Sequence, residues 1–181
     1  NHIPKTLEIA MSIIRTNEEL RSVIGNEIPG LNEKNIDHLD QHAVDFIAKC
    51  PFLILSTADQ NGRCDASPKG DAPSFVQILN DRTLLIPDRP GNKLAYGHQN
   101  ILSNPQVGLL FILPGTSETL RVNGSAELDA SPTVLENLSA RGRPAVLAIR
   151  VEVQECFFHC AKAFIRSGLW QQSSWPERPH R

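Results

Sequence analysis

The chain has 181 residues, 40% of them apolar and 21% charged, with a formal net charge of −2. That size and balance suit one soluble globular domain with a real core, and the absence of a lysine or arginine block argues against a nucleic-acid or anionic-membrane surface. The longest apolar run, residues 107–113, is too short to span a bilayer, and the N-terminal stretch lacks the apolar centre of a signal peptide.

Residues 1–34 read as a helical extension. Thr16-Asn-Glu-Glu19 has the spacing of a capping box, and Gly25 and Pro29-Gly30 break the helix. Ile36, Leu39, Ala43, Phe46 and Ile47 then recur at helical spacing, and Pro51 stops the run. From Phe52 the period changes. Residues 52–57 predict a strand, Asp59–Gly62 a turn, and residues 63–67 the returning strand. Strands near 75–79 and 83–87 flank Asn80-Asp81-Arg82. Residues 92–103 predict a helix ending at Asn104-Pro105, followed by strands at 107–113 and 118–128. Ser131-Pro132 opens a short helix. Residues 146–157 form the last long strand and 159–170 a terminal helix or turn, and the polar segment beyond Gln171 frays. Strands joined by tight turns pair antiparallel, and a barrel hides their edges. The expectation is therefore a mainly β, α+β fold over residues 35–175, with a polar tail at 176–181.

Cys50, Cys64, Cys156 and Cys160 form no CxxC pair and no disulfide framework, which predicts free thiols and a cytoplasmic setting. His159-Cys160 with Cys156 lacks the paired spacing of a structural zinc site, so no metal is expected. No GxSxG elbow or HExxH motif occurs, and Asp65 with Asp71 has nothing around it to make a glycosidase pair. The chain opens on Asn1, so further residues are expected to precede it.

Two polar segments interrupt the strand pattern: Arg63-Cys-Asp-Ala-Ser-Pro-Lys-Gly-Asp71 and Ile86-Pro-Asp-Arg-Pro-Gly-Asn-Lys93. The second follows a strand and opens the predicted helix, where free amides and the dipole favour anions. Arg89 and Lys93 add positive charge, Asn92 an amide donor, and Gly91 a close backbone approach. This makes a phosphate cradle without Walker A spacing; the plainer reading is a solvated turn.

The ordered segments "PFLILSTADQNGRCDASPKGD", "LLIPDRPGNK", "NPQVGLLFILPG", "ETLRVNGSAEL" and "FFHCAKAFIRSGLW" resemble the pyridoxamine 5′-phosphate oxidase-like FMN-binding family, most nearly an uncharacterised bacterial subgroup, over residues 35–175. The resemblance implies a six-stranded antiparallel split β-barrel and a homodimer with FMN at the subunit interface. It implies that Asn92 and Lys93 grip the FMN phosphate, with Asp88 and Arg89 beside them. Ile86 and Pro87 would lie along the flavin through their backbone. Arg63, Asp65, Ser67 and Lys69 would run beside the ring and ribityl chain, and Trp170 would close the site. Thr119 stands where the family often has a glutamine. Lys69, Arg121 or Arg166 would supply positive charge near the ring, which stabilises the reduced anion. Each has a plainer reading as a turn, strand or helix-end residue.

The implied function is an FMN-dependent oxidoreductase acting on an unknown small molecule. The alternatives are use of F420, flavin binding, storage or sensing without turnover, and haem binding through His159. Pyridoxamine phosphate oxidation itself is disfavoured, because the C-terminal substrate-phosphate motif is not recognisable.

Overall fold

Residues 13–177 are described here from a computed structural model. The chain divides between Glu33 and Lys34 into two compact units, each taken by itself. In the first, α1 (Asn17–Ile24) begins at a complete capping box: the Glu19 amide donates to the Thr16 hydroxyl at 3.2 Å, and the Thr16 amide donates to the Glu19 carboxylate at 3.2 Å. Gly25, at φ 84°, ends it. No α1 residue is buried.

The second unit contains α2 (Gln41–Lys49), β1 (Phe52–Ala58), β2 (Cys64–Gly70), β3 (Gln77–Asn80), β4 (Thr83–Asp88), α3 (Tyr96–Ser103), β5 (Gln106–Ile112), β6 (Thr119–Asp129), α4 (Pro132–Asn137), β7 (Leu147–His159) and α5 (Lys162–Ser167). The strands form one seven-stranded antiparallel sheet in the order β2-β1-β5-β6-β7-β4-β3. Each segment read as a strand becomes one, so the count exceeds the six implied by the resemblance. The α+β architecture, with helices flanking an antiparallel sheet, is as expected. Among the described residues, no helix is long and apolar enough to cross a membrane.

Alternation explains the core. Leu53 and Leu55 of β1, Leu109 and Phe111 of β5, and Leu120 and Val122 of β6 all point to one face and are essentially fully buried. Phe46 and Ile47 of α2 pack against the same cluster. Each such side chain contributes roughly 1.5–3 kcal/mol on leaving water. The β6–β7 register shifts between Asn123 and Gly124. A side chain at Gly124 would overlap the Glu152 carbonyl oxygen, so glycine is required there.

Three helical expectations are corrected. Ile36 and Leu39 lie outside α2. Ile36 pairs with Cys156 as an isolated bridge, and the Leu39 amide donates to the Asp81 carbonyl at 2.7 Å. Asp40 then starts the helix by accepting from the Ala43 amide at 2.8 Å. α3 begins at Tyr96, not Asn92. Asn92 turns back to accept from the Leu94 amide, and Lys93 and Ala95 take positive φ of 62° and 56°, which no helix permits. α5 likewise covers only Lys162–Ser167 of the expected 159–170, because β7 runs on to His159 and Gly168 turns left-handed.

Candidate functional site

β2 carries an unusual row. Asp65, Ser67 and Lys69 pair in register with Thr57, Leu55 and Leu53, so they share the face that elsewhere forms the core. α3 covers them. Gly97 brings the helix within van der Waals range of Ser67 and Thr57. Buried Asn100 donates to the Thr57 hydroxyl at 2.9 Å and to the Asp65 carboxylate at 2.7 Å. A polar layer thus replaces apolar packing along this edge strand, and its hydrogen bonds are made internally.

β2 and β4 are not neighbours in the ladder. Side chains nevertheless join their ends. Lys69 Nζ lies 2.5 Å from Asp88 Oδ1, and both side chains are mostly shielded. Arg89 donates from Nε to Asp71 at 2.8 Å and from Nη1 to the Leu138 carbonyl at 2.7 Å. The Ala72 amide, together with Arg89, holds the Asp71 carboxyl below its ordinary range. His98 of α3 points to the same place, with Nε2 buried 3.6 Å from Asp88 Oδ1. That distance is too long for a hydrogen bond. Burial lowers the His98 pKa despite the nearby carboxylate, so the ring is neutral at physiological pH.

Beyond this junction runs the loop 89–95. Its expected helix dipole is absent, since Asn92 and Lys93 precede α3 by several residues. The positive charge is present in another form. A cleft of about 620 Å³ is lined by Gly70, Asp71, Arg89, Pro90, Arg141 and Arg143, among others. Arg141 and Arg143 sit on a tight hairpin in which Ala140 pairs with Arg143 and Arg141 and Gly142 take φ of 53° and 72°. Among the described residues, neither arginine side chain has a hydrogen-bond or ion-pair partner, and neither does the Lys93 side chain.

The remaining candidates form a second group. Thr119 is buried, in register with Ile112 and His159. Arg121 donates to Glu155 at 2.6 Å and lies 5.2 Å over the Phe157 ring, with its Nε buried and, among the described residues, unpartnered. Glu155 also accepts from Asn123 and Asn35. His159 stands edge-on to Phe157, and its pKa is lowered by burial and by Arg121. Trp170 stacks on Phe164 and donates to the Thr116 carbonyl at 2.6 Å. Arg166 is exposed on α5.

The structure therefore brings together Asp65, Ser67, Lys69, Asp88 and Arg89. Ile86 and Pro87 lie on the same strand, with the Ile86 side chain wholly in the core. Arg63 is exposed just before β2. No hydrogen bond, ion pair or aromatic contact among the described residues links this group to Thr119, Arg121, Arg166 and Trp170. Sequence reasoning missed His98, Asn100, Arg141 and Arg143. Arg-Gly-Arg in a turn was a usable signal for the last two. His98 and Asn100 had none, because only the packing of α3 onto β2 gives them meaning. Among the described residues no cluster of three or more His, Cys, Asp or Glu is arranged for a metal ion, and all four cysteines are free.

An open antiparallel sheet clasped by ion pairs at one end, with a cationic cleft beside the clasp, defines a split-barrel protein. The chain belongs to the pyridoxamine 5′-phosphate oxidase family, whose model matches residues 39–160. Similar solved structures include HupZ from Group A Streptococcus, with a TM-score of 0.53 at 20% identity over 66% of this chain and 93% of that one. A pyridoxamine 5′-phosphate oxidase candidate from Lactobacillus delbrueckii has a TM-score of 0.52 at 21% identity over 67% and 95%. At these identities the likeness shows a shared fold. No curated protein sequence matches the chain.

Proposed function

We propose that the protein binds FMN and acts as an oxidoreductase on a small molecule, with a homodimer as the working unit. The cationic cleft carries this reading: among the described residues the Arg141 and Arg143 side chains are unpaired and Arg89 is fixed beside them, a setting suited to a phosphate ester or another anion. Lys93 and Asn92 lie next along the same loop and would hold the cofactor phosphate. Bound FMN would supply hydride or electron transfer. The protein's part is placement: β4 offers its backbone end at Pro87 and Asp88, and β2 offers Ser67 and Lys69.

The division of the candidates into two unconnected groups supports the dimer. A second copy would set Arg121 and Trp170 of one subunit beside the loop of the other. The sheet face opposite the core adds support, because Ile54, Leu110 and Ile112 there remain only partly covered.

The test is an absorption spectrum of the purified protein before and after adding FMN. Flavin bands that persist through gel filtration are expected. A protein that stays colourless and retains no added FMN rejects the reading. Bleaching by NADH or NADPH then distinguishes a reductase from a flavin-binding protein without turnover. Sedimentation of the flavin-bound form as a monomer rejects the dimer.

A further inference from the structure

Asp88 lies between two nitrogen groups. Lys69 Nζ is 2.5 Å from its Oδ1, and His98 Nε2 is 3.6 Å from the same oxygen. The histidine nitrogen is buried and, among the described residues, has no hydrogen-bond partner. A buried polar atom left unpaired is destabilising, so its retention needs a reason.

The groups that face His98 limit what that reason is. From β2 come Lys69 and Asp65, and from β4 comes Asp88. The inward residues of β1 and β6, among them Leu55, Thr57, Val122 and Ala126, carry no charge. Asp65 is occupied by Asn100 at 2.7 Å. Among the described residues, Asp88 is therefore the one carboxylate within reach, and His98 stands just short of it.

We propose that Asp88 exchanges partners: it pairs with Lys69 in the ligand-free protein and passes to His98 Nε2 when an anion draws the Lys69 ammonium away. His98 is then a positioning residue. Without it, moving Lys69 toward a ligand would leave a shielded carboxylate unpaired and facing the incoming negative charge, an arrangement that opposes binding. With it, a side-chain adjustment of under ~1 Å restores a hydrogen bond of ordinary length. A lysine locked permanently to Asp88 would offer an anion little net charge; a lysine whose carboxylate has a second home offers a full one. Naming the anion as FMN or its substrate rests on the function proposed above, whereas the exchange is a property of the chain alone.

The exchange is testable without any ligand. Lys69→Met and Lys69→Gln each imitate departure of the ammonium, and His98 is followed by NMR of its ring nitrogens and exchangeable proton. Either variant should show a downfield, exchange-protected Nε2 proton absent from wild type. The His98 pKa should rise by about one unit, a tenfold change in proton affinity. Adding Asp88→Asn to either variant should abolish the protected proton and most of that rise. The protected proton, which the loss of a neighbouring positive charge does not create, separates a new hydrogen bond from a change in electrostatics alone. Folded Lys69 variants without the protected proton, or a rise that survives Asp88→Asn, overturn the proposal. In wild type, titration with FMN should bring out the same signal. If FMN does not bind yet the Lys69 variants show the exchange, the cofactor reading fails and the exchange stands. If FMN binds and the variants show no exchange, the reverse holds.

Discussion

Arg89 and Asp71 form an ion pair at 2.8 Å that joins the residue after β4 to the residue after β2, although those strands lie far apart in the ladder. The same guanidinium reaches the Leu138 carbonyl at 2.7 Å, so one side chain ties three segments. Arg89→Ala removes both bonds and leaves a largely shielded carboxylate without its ion-pair partner, held only by the Ala72 amide. The expected loss of stability is about 1–3 kcal/mol, reduced from a fully buried case by partial exposure. Arg89→Lys should fall between, because it keeps the charge and loses the planar fork. Urea midpoints measure both, and an unchanged Arg89→Ala midpoint rejects the clasp.

Lys93 has a positive φ of 62° and no partner among the described residues. Lys93→Gly removes the charge while suiting the backbone, so stability should hold or rise slightly. FMN affinity should nevertheless fall about tenfold if the ammonium meets the phosphate, as one lost charge-assisted hydrogen bond implies. Lys93→Ala should match it in affinity and be less stable. Equal FMN affinity in all three proteins, read by fluorescence titration, removes Lys93 from the phosphate site.

Gly124 sits at the β6–β7 register shift against the Glu152 carbonyl. The contact is with backbone, so no flexible side chain gives way. Gly124→Ala should cost at least ~1–3 kcal/mol as an overpacking change. Thermal denaturation of the variant is the measurement; a melting temperature equal to that of wild type contradicts the steric requirement for glycine.

Asp129 has its pKa lowered to about 2 by the Ser131 hydroxyl, the Ser131 amide at 2.9 Å and Arg150 at 2.9 Å. The folded pKa lies below the unfolded one, so the linked stability is present above about pH 4 and is lost as pH falls toward 2. Asp129→Asn should be less stable than wild type at neutral pH and should show a shallower acid slope in that window. Parallel acid-unfolding curves for the two proteins would exclude this carboxylate as a contributor.

The fold was largely legible because its signals are local. β1 and β5 alternate or run apolar, the turns carry glycine and asparagine, and the helix at 17–24 announces itself through Thr16 and Glu19. Errors came where a tertiary partner overrides a local pattern. Ile36 fits a helical stripe, yet its backbone pairs with Cys156. Asn92 and Lys93 fit a helix start, yet an asparagine side chain closes a turn there first. The cleft was half legible. Arg89 stood in a suspicious loop, but Arg141 and Arg143 reach the same space only because α4 and its hairpin fold back beside β4. Lys69 was read as a source of positive charge near the ring or as a turn residue, and its pairing with Asp88 depends on a closure between strands that no sequence spacing encodes.

The two outermost strands have a consequence for behaviour in a crowded solution. An exposed ladder edge is a template on which another chain can add a strand. Here one edge, β2, carries Pro68 in its middle, which deletes a donor from the row. The other, β3, is only four residues long and breaks register between Ile78 and Asn80. Neither edge offers the long, flat, regular run that fibril growth or strand swapping requires. What approaches this protein meets side chains, not bare backbone.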